Sequence, residues 1–332
     1  MLNPELKLNT KLFNDDVEQV PIRKGFGQGL LIAGEADKNV VALCADLTES
    51  TQMHSFAEKF PERFIEMGIA EQNLVAVSSG MAAMGKIPFC SSYAMFSPGR
   101  SWEQIRTTAS YNDQPVKIVG SHAGISVGPD GGTHQALEDI GLMRMIPNMD
   151  VISPCDAIEA KKATIALAKI KKPAYIRLVR EKTPIITTEE TPFEIGKAQI
   201  YWMPDVGLAQ VGIIVTGGLT HHAMLAAKEL EVEGIKTKVM NLSSIKPMDV
   251  EAILKLAKET KKIVTVEEHQ IAGGMGSTVA EVLIQNYPVV QEFVGVRDVF
   301  GQSGKPEELI EHYGMGKDSI KEAVRKVLKR KV

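Results

Sequence analysis

The sequence has few cysteines and no pattern that pairs them. Its three cysteines, Cys44, Cys90 and Cys155, lie far apart, and no Cys-x-x-Cys pair occurs among the 332 residues. Zinc sites and redox-active dithiols usually need closely spaced thiols, so neither is indicated. Each cysteine lies in or next to an apolar run, which predicts buried free thiols.

An excess of charge of one sign and long apolar runs are also lacking. The formal net charge is −3, which gives no reason to expect a nucleic acid as partner. No apolar run approaches the roughly 20 residues of a membrane-spanning helix. Residues 1–19 are polar and contain no apolar core of a signal peptide. We therefore expect a cytoplasmic protein without membrane contact.

Short apolar or β-branched runs alternate with helical patterns along nearly the whole chain. Strands without polar alternation, separated by helices, indicate parallel sheets covered on both faces. The sequence thus predicts an α/β fold with two doubly wound domains, the number that 332 residues suggest. The predicted strands are 40–45, 116–120, 151–153, 174–179, 211–216, 236–241, 263–267 and 290–296. The predicted helices include 71–83, 102–110, 156–169, 220–231, 250–259 and 276–285, and the charge run 321–331 predicts an amphipathic one.

A change in composition divides the chain. The stretch near residues 181–204 contains Pro184, Pro192 and Pro204 and little helical periodicity, which predicts a linker. We expect an N-terminal arm at residues 1–15, lying on the surface or on a partner. A first domain follows at 16–181, then the linker at 182–204, and a smaller domain at 205–332.

Polar residues follow several predicted strands of the first domain. Each alone has an ordinary explanation as a helix cap, a residue of a glycine turn or a solvated arginine. Because ligands bind outside the carboxyl ends of parallel strands, their convergence favours a site for an anionic, hydroxylated ligand. The candidates are Arg23, Asp46, Ser50, His122, the loop 128–134 with Asp130 and His134, and Arg180.

Glu71 is the most informative single position. It lies in Gly68-Ile-Ala-Glu-Gln-Asn-Leu-Val-Ala-Val-Ser-Ser-Gly, a helical pattern of small and apolar residues. An unpaired carboxylate in such surroundings is costly, so it should be protonated, paired or bound to a ligand. The alternative is a first-turn glutamate that complements the helix dipole. The scarcity of polar neighbours favours a functional carboxylate.

The glycine pairs Gly217-Gly218 and Gly273-Gly274 stand where helices should begin. Both could bind phosphate through backbone N–H groups, but tight turns are the simpler interpretation because neither matches a known phosphate-binding motif. The adjacent histidines at 221 and 222 do not share a helix face, which argues against a metal site. His269 follows a strand and could border a cleft or be a solvated loop residue.

Three segments together resemble the transketolase family. They are Arg63-Phe-Ile-Glu-Met-Gly-Ile-Ala-Glu-Gln-Asn, Gly128-Pro-Asp-Gly-Gly-Thr-His-Gln and Ile146-Pro-Asn-Met. The resemblance runs from about residue 20 to the end. It implies a thiamine-diphosphate pyrimidine-binding domain at 16–181, followed by a transketolase C-terminal domain. The wider family includes deoxyxylulose-phosphate synthase and the β chains of 2-oxo acid dehydrogenases.

The resemblance assigns the cofactor end of the site. Glu71 falls where the family's glutamate hydrogen-bonds N1′ of the aminopyrimidine ring of thiamine diphosphate and so promotes removal of the thiazolium C2 proton. Tyr93 and Phe96 match aromatics that stack on that ring, and Asp46 matches an acidic residue near the cofactor. A third aromatic is expected where this chain has Gly99, so the ring pocket must be completed differently.

The resemblance also implies a grip on a sugar phosphate. Two arginines, a hydroxyl and an imidazole suit a phosphate dianion, which favours transketolase over a dehydrogenase β chain. His122 argues against the synthase. Asp130 and His134 match residues near the substrate hydroxyls and the reacting carbonyl, and His134 is a candidate catalytic residue beside Glu71. The phosphate-binding set is Arg23, Ser50, His122 and Arg180.

One part of the family's machinery is missing from the sequence. The diphosphate is held through Mg²⁺ or Ca²⁺ by a Gly-Asp-Gly motif and a later asparagine, and no such pair occurs here. The resemblance therefore implies an N-terminal transketolase subunit that carries this motif and the metal, and we expect the two chains to form an α2β2 heterotetramer.

The leading hypothesis is the C-terminal subunit of a split transketolase of the pentose phosphate pathway, active only with its partner. It would transfer a two-carbon ketol unit between ketose and aldose phosphates. The alternatives are a subunit like 1-deoxy-xylulose-5-phosphate synthase or the 2-oxo acid dehydrogenase E1 β chain, and a non-catalytic assembly subunit. The nearly full set of site residues argues against the last.

Overall fold

The structure is a computed structural model that describes residues 1–331. Its strands, in chain order, are β1 (Gln19–Pro21), β2 (Val40–Cys44), β3 (Phe64–Glu66), β4 (Ile87–Tyr93), β5 (Lys117–Ser121), β6 (Asp150–Ile152), β7 (Ala174–Arg177), β8 (Lys182–Pro184), β9 (Gln199–Trp202), β10 (Val211–Val215), β11 (Thr237–Asn241), β12 (Ser244–Lys246), β13 (Lys262–Gln270) and β14 (Val290–Val296).

The helices alternate with these strands. They are α1 (Ile22–Ala36), α2 (His54–Lys59), α3 (Glu71–Ala83), α4 (Trp102–Gln104), α5 (Asp139–Arg144), α6 (Ala157–Lys169), α7 (Thr220–Val232), α8 (Val250–Thr260), α9 (Met275–Asn286), α10 (Pro306–His312) and α11 (Lys317–Lys329). A π-helix, Ile105–Ser110, continues α4, and a 3₁₀-helix, Ile125–Asp130, follows β5.

Two large sheets organise the chain beside the two-stranded sheet of β1 and β8, and the predicted α/β fold class is confirmed. The first has the order β12-β6-β7-β5-β4-β2-β3, and all its pairs are parallel except β12 with β6. The second has the order β14-β13-β10-β11-β9, with β9 antiparallel at one edge. Because β12 follows β11 in the chain but joins the first sheet, the two domains share main-chain hydrogen bonds.

Each predicted strand overlaps an observed one, but β4 was missed although it lies at the centre of the first sheet. It pairs with both β2 and β5, and its middle residues are buried. Its sequence, Ile-Pro-Phe-Cys-Ser-Ser-Tyr, contains a proline and two serines that interrupt the apolar run. Tertiary contacts on both sides override this weak local signal.

Helix α1 was also missed, because its four glycines lower helix propensity. They allow α1 to pack closely on its neighbours. A Cβ atom on Gly25 would lie 1.8 Å from the carbonyl oxygen of Ala157, and one on Gly29 would lie 2.7 Å from that of Lys161. Both carbonyls belong to α6, so the backbone of α1 lies directly against that helix.

The predicted linker at 182–204 has regular structure at both ends. β8 pairs with β1 of the first domain, and β9 forms the edge of the second sheet. Between them, the backbone N–H groups of Ile186 and Thr187 donate to Asp156 Oδ2 at 2.8 and 2.6 Å. The unpaired connection is therefore shorter than its proline content suggested.

The N-terminal arm lies on its own chain. Leu8 and Leu12 are buried in the apolar core of the second domain, and Leu2 forms a bridge with Trp202. The Asn9 side chain donates to the carbonyl of Ile185 at 2.7 Å. The expectation of an arm that lies on the surface or on a partner is thus wrong for these leucines.

All three cysteines are buried free thiols, as predicted. Within residues 1–331, no helix is both long enough and apolar enough to cross a membrane.

The space around two helical glycines predicts opposite effects for their substitution by alanine. Gly25→Ala should destabilise the protein, because overlap with the Ala157 carbonyl outweighs better helix propensity. Gly80, in α3, has no atom within 4 Å of a Cβ position, so Gly80→Ala should stabilise the isolated chain by about 0.5–1 kcal/mol. Urea unfolding of both variants measures this, and stabilisation by Gly25→Ala would contradict the packing account.

Candidate active site

The carboxyl ends of four parallel strands meet at one edge of the first sheet. β2, β4, β5 and β7 lead into Asp46, Tyr93, His122 and Arg180 respectively. This edge is where an open α/β sheet binds its ligands. The sequence-based expectation that these positions share one region agrees with this topology.

Four rings form the centre of the cluster. The rings of Tyr93 and His122 stack with centroids 3.9 Å apart, and Phe96 lies nearly parallel to Tyr93 at 6.2 Å. His134, from the loop after β5, presents an edge-to-face contact to Phe96 at 5.3 Å. The end of β4, the residues just after it and two segments after β5 therefore contribute the four rings.

His122 is held in a fixed orientation. Its φ of 54° lies in the left-handed region, and its Nδ1 is 2.9 Å from Ser121 Oγ. Burial and the nearby charges of Arg23 and Arg180 lower the pKa of His122 to about 3. The imidazole is therefore neutral at pH 7 and can offer a hydrogen bond without adding charge.

The two candidate arginines lie side by side beyond His122. Arg23 donates through Nη1 to the Ser50 carbonyl at 2.6 Å and through Nε to the Arg180 carbonyl at 3.3 Å. Arg180 donates to the Val127 carbonyl at 2.9 Å, and its Nη1 is 3.7 Å from Asp130 Oδ1. Burial and the charge of Arg180 lower the pKa of Arg23. A bound anion would relieve the repulsion between these two cations.

Glu71 is the first residue of α3, and its side chain is only 2% exposed. Its Oε2 accepts a hydrogen bond of 2.7 Å from Arg100 Nη1. The Arg100 guanidinium also lies over the Phe96 ring, 5.3 Å from its centroid. Sequence reasoning missed Arg100. This residue directly follows Gly99, where the family resemblance leads one to expect a third aromatic residue.

The loop 128–134 is anchored to the second domain. Gly128 and Gly131 adopt φ values of 78° and 75°, which side-chain-bearing residues rarely tolerate. The Gln135 amide donates to the carbonyls of Ile125 and Gln302 at 3.1 and 3.0 Å. The loop that presents Asp130 and His134 is therefore shaped by two glycines and tied across the domain boundary.

Asp46 is the candidate that the structure leaves apart from the ring cluster. It is exposed, with a φ of 58°, and within residues 1–331 no hydrogen bond joins its carboxylate to another residue. Its backbone N–H donates to Glu66 Oε1 at 2.6 Å, and Glu66 also accepts from Thr48 and Gly68. Glu66, which sequence reasoning did not single out, organises the turn that leads to α3.

The glycine motif that begins with Gly273-Gly274 binds a carboxylate of the same chain, that of Glu267. Both carboxylate oxygens of Glu267 accept backbone hydrogen bonds at the start of α9, from Met275 at 2.6 Å and Gly276 at 2.8 Å. Burial raises the pKa of Glu267 to about 7. This carboxylate takes the position that an external phosphate would need, so the loop is structural.

His269 is likewise a core residue and not a solvated one. Its Nδ1 donates to the Gln270 carbonyl at 2.7 Å, and its Nε2 accepts from the Gly141 N–H at 3.3 Å. The imidazole thereby connects β13 of the second domain to α5 of the first.

The first glycine pair, Gly217-Gly218, lies before α7 and borders a cavity of about 380 Å³ between the domains. His221 and His222 also line this cavity.

Two family models match the chain. Residues 18–185 match the transketolase pyrimidine-binding domain, and residues 201–320 match the transketolase C-terminal domain. The chain belongs to the transketolase family. The matched ranges leave only residues 186–200 between the two domains of this transketolase-family chain, in agreement with the short connection in the structure.

Individual relatives agree with this assignment. The chain is 44% identical to a transketolase C-terminal section from Methanocaldococcus jannaschii over 93% of this chain and 96% of that protein. It is 38% identical to a 6-deoxy-6-sulfo-D-fructose transketolase subunit from a Clostridium species, over 96% and 98%. A solved structure described as a split-gene transketolase in an inactive β4 tetramer superimposes with a TM-score of 0.86 at 42% identity, over 93% and 98%. The chain thus corresponds to the C-terminal section of a split transketolase.

The low pKa of His122 predicts a pH-dependent contribution to stability. Its folded pKa lies below the unfolded value of about 6.5, so the unfolded chain binds the extra proton between roughly pH 3 and 6.5. This group's contribution is full above pH 6.5, and it should fall by about 2 kcal/mol between pH 7.5 and pH 5. His122→Asn should remove that part of the pH dependence of the free energy of unfolding.

The control for this prediction is His312→Asn, because His312 is exposed. The control variant should keep the wild-type dependence of stability on pH. Equal slopes for His122→Asn and wild type would show that His122 titrates near its ordinary pKa.

Proposed function

We propose that this chain is the C-terminal subunit of a split transketolase that transfers a two-carbon ketol unit from a ketose phosphate to an aldose phosphate. Thiamine diphosphate would bind at the interface with an N-terminal subunit. The observation that carries the proposal is the buried Glu71 carboxylate at the start of α3, beside the ring cluster of Tyr93, Phe96, His122 and His134.

The residues present fit the pyrimidine end of thiamine diphosphate. A carboxylate is the acceptor that a ring N–H needs, and the partly buried Phe96 and Tyr93 offer ring faces for stacking. When bound, the cofactor supplies the thiazolium carbanion chemistry. This chain's part is to hold Glu71 where it can exchange a proton with the aminopyrimidine ring, in surroundings from which water is largely excluded. Asp46 stays a proposed cofactor contact.

The cationic end of the cluster supports an anionic sugar as substrate. Arg23 and Arg180 would bind the dianion, with Ser50 and the neutral His122 as further hydrogen-bonding groups. Asp130, 3.7 Å from Arg180, and His134 of the ring cluster would contact the sugar hydroxyls and the region of the reacting carbonyl. A second candidate substrate is a sulfonated sugar, because the relative from Clostridium bears that name and a sulfonate is also a tetrahedral anion.

An unpartnered face of α3 supports the need for a second chain. Ala76, Val77 and Gly80 are exposed on this helix, and Ile69 and Met84 at its two ends are 75% and 83% exposed. Apolar residues rarely gather on a free surface without a partner. Gly80 has no packing reason within residues 1–331, and a glycine in a helix allows another backbone to approach closely.

We assign this face to the N-terminal subunit, which would bring the diphosphate-binding motif and its Mg²⁺ or Ca²⁺ next to Glu71 in an α2β2 assembly. Within residues 1–331 no cluster of three His, Cys, Asp or Glu side chains could hold a metal ion. A relative described as an inactive β4 tetramer is consistent with chains of this type that need another subunit for activity.

The proposal predicts which mixtures turn over substrate. This chain with an N-terminal transketolase subunit, thiamine diphosphate and Mg²⁺ should convert xylulose 5-phosphate and ribose 5-phosphate, whereas this chain alone should not. Turnover of pyruvate and not of the ketose would refute the transketolase assignment. Preferred turnover of 6-deoxy-6-sulfofructose would instead select the sulfonated substrate.

In the same assay Glu71→Gln should reduce kcat by about 10²–10⁴-fold, the usual range for loss of a general acid–base group. The amide keeps the shape of the side chain, so circular dichroism should be unchanged. Glu58→Gln is the matched control, because Glu58 is exposed on α2. A wild-type rate for Glu71→Gln would refute the role proposed for Glu71.

The α3 face predicts a specific loss of assembly. Ala76→Glu places a charge in the centre of this face and should weaken binding of the N-terminal subunit at least tenfold, because a buried unpaired carboxylate is costly. Ile284→Glu is the control, since Ile284 is 69% exposed on α9. Analytical ultracentrifugation of the mixtures measures both, and equal assembly of the two variants would place the interface elsewhere.

A further inference from the structure

Arg100 joins two parts of the proposed cofactor site that come from different elements. Its Nη1 donates to Glu71 Oε2 at 2.7 Å, and its guanidinium lies over the Phe96 ring at 5.3 Å. Glu71 begins α3, whereas Phe96 follows β4. Within residues 1–331 the other carboxylate oxygen of Glu71, Oε1, has no hydrogen-bond partner. One oxygen is therefore anchored and the other is left for a ligand.

The burial of the two partners differs. Glu71 is 2% exposed, while the Arg100 side chain is 51% exposed. A buried carboxylate needs a hydrogen-bonding partner, and a guanidinium that stays half in water provides one at a smaller desolvation cost than a fully buried cation. Arg100 thus covers the solvent side of the Glu71 carboxylate.

The backbone at Gly99 explains why this position cannot complete the ring pocket. A Cβ atom on Gly99 would lie 2.0 Å from the carbonyl oxygen of Met95. No aromatic side chain fits there without a shift of the backbone. The next residue, Arg100, instead brings a planar, delocalised group that can stack on an aromatic face.

We infer that Arg100 is a positioning residue for Glu71. Its planar guanidinium takes the place of the aromatic ring that Gly99 cannot provide. The inference rests on the proposed function, since it assumes that the ring bound beside Glu71 is the aminopyrimidine. Arg100 fixes the direction of the carboxylate through Oε2, so Oε1 is presented to the ring nitrogen. It also limits the motion of Phe96 by lying over one of its faces.

The test uses the complete complex with the N-terminal subunit and Mg²⁺. Calorimetry measures the Kd of thiamine diphosphate, and nuclear magnetic resonance measures hydrogen–deuterium exchange at C2 of the bound cofactor, without any sugar. Arg100→Met should weaken binding several-fold and slow exchange about tenfold or more, because a small misplacement of a catalytic group can cost on the order of 100-fold. Arg100→Lys keeps the positive charge but lacks the planar guanidinium, so its Kd and exchange rate should lie between those of Arg100→Met and wild type.

The matched control is Arg106→Met, which removes the same charge from an exposed position on the neighbouring π-helix. It should leave both quantities at wild-type values. The KM for the sugar phosphates should not change in the Arg100 variants, because Arg100 contacts none of the proposed phosphate-binding residues.

The outcomes separate this inference from the proposed function. If the wild-type complex binds no thiamine diphosphate, the proposed function fails. If the wild-type complex binds and exchanges normally but Arg100→Met stays within twofold of it, only the positioning role is overturned. Tighter binding by Arg100→Met also overturns it, because Arg100 would then occupy the place of the ring.

Discussion

The buried guanidinium of Arg177 fixes the position of the two domains relative to the candidate site. Arg177, at the end of β7, donates through Nε to Asp139 Oδ2 at 2.8 Å and through Nη2 to the Glu268 carbonyl at 2.8 Å. The hydroxyl of Tyr175 donates to the same Asp139 oxygen at 2.7 Å. Because Asp139 begins α5 and Glu268 belongs to β13, this guanidinium links the first sheet, the segment after the loop 128–134 and the second sheet. Substitution of either Arg177 or Asp139 alone would leave a buried charge unpaired and would strongly destabilise the fold.

This constraint gives the candidate site a rigid base on one side. Gln135, directly after the loop carrying Asp130 and His134, and His269, which contacts α5, add hydrogen bonds between the same two domains. The opposite side of the site is different, since the exposed face of α3 and the half-exposed Arg100 end in solvent. The rigid half would orient the sugar, and the open half is where a second chain would complete the cofactor site.

Charge is arranged in the same two-ended way. Arg23 and Arg180 face one end, and the Glu71 carboxylate lies at the other, with four rings between them. An anionic substrate bound at one end and the ring nitrogen of a cofactor bound at the other would together satisfy both. Burial lowers the pKa of His122 and keeps it neutral at pH 7. The middle of the site can therefore offer hydrogen bonds without adding charge between the cationic end and the carboxylate end.

Local apolar patterns were enough to predict the alternation of strands and helices and the two-domain α/β class, and the cost of a carboxylate among apolar residues singled out Glu71 as a candidate. Three features are visible only in the folded chain: Arg100 pairs with Glu71, Glu267 fills a glycine turn, and the N-terminal arm packs on its own chain. Each of these depends on how distant segments approach one another, as with Glu71 and Arg100 or Leu2 and Trp202. Local propensity carries no information on such contacts, and for the same reason it missed β4, whose weak strand pattern is stabilised by neighbours on both sides.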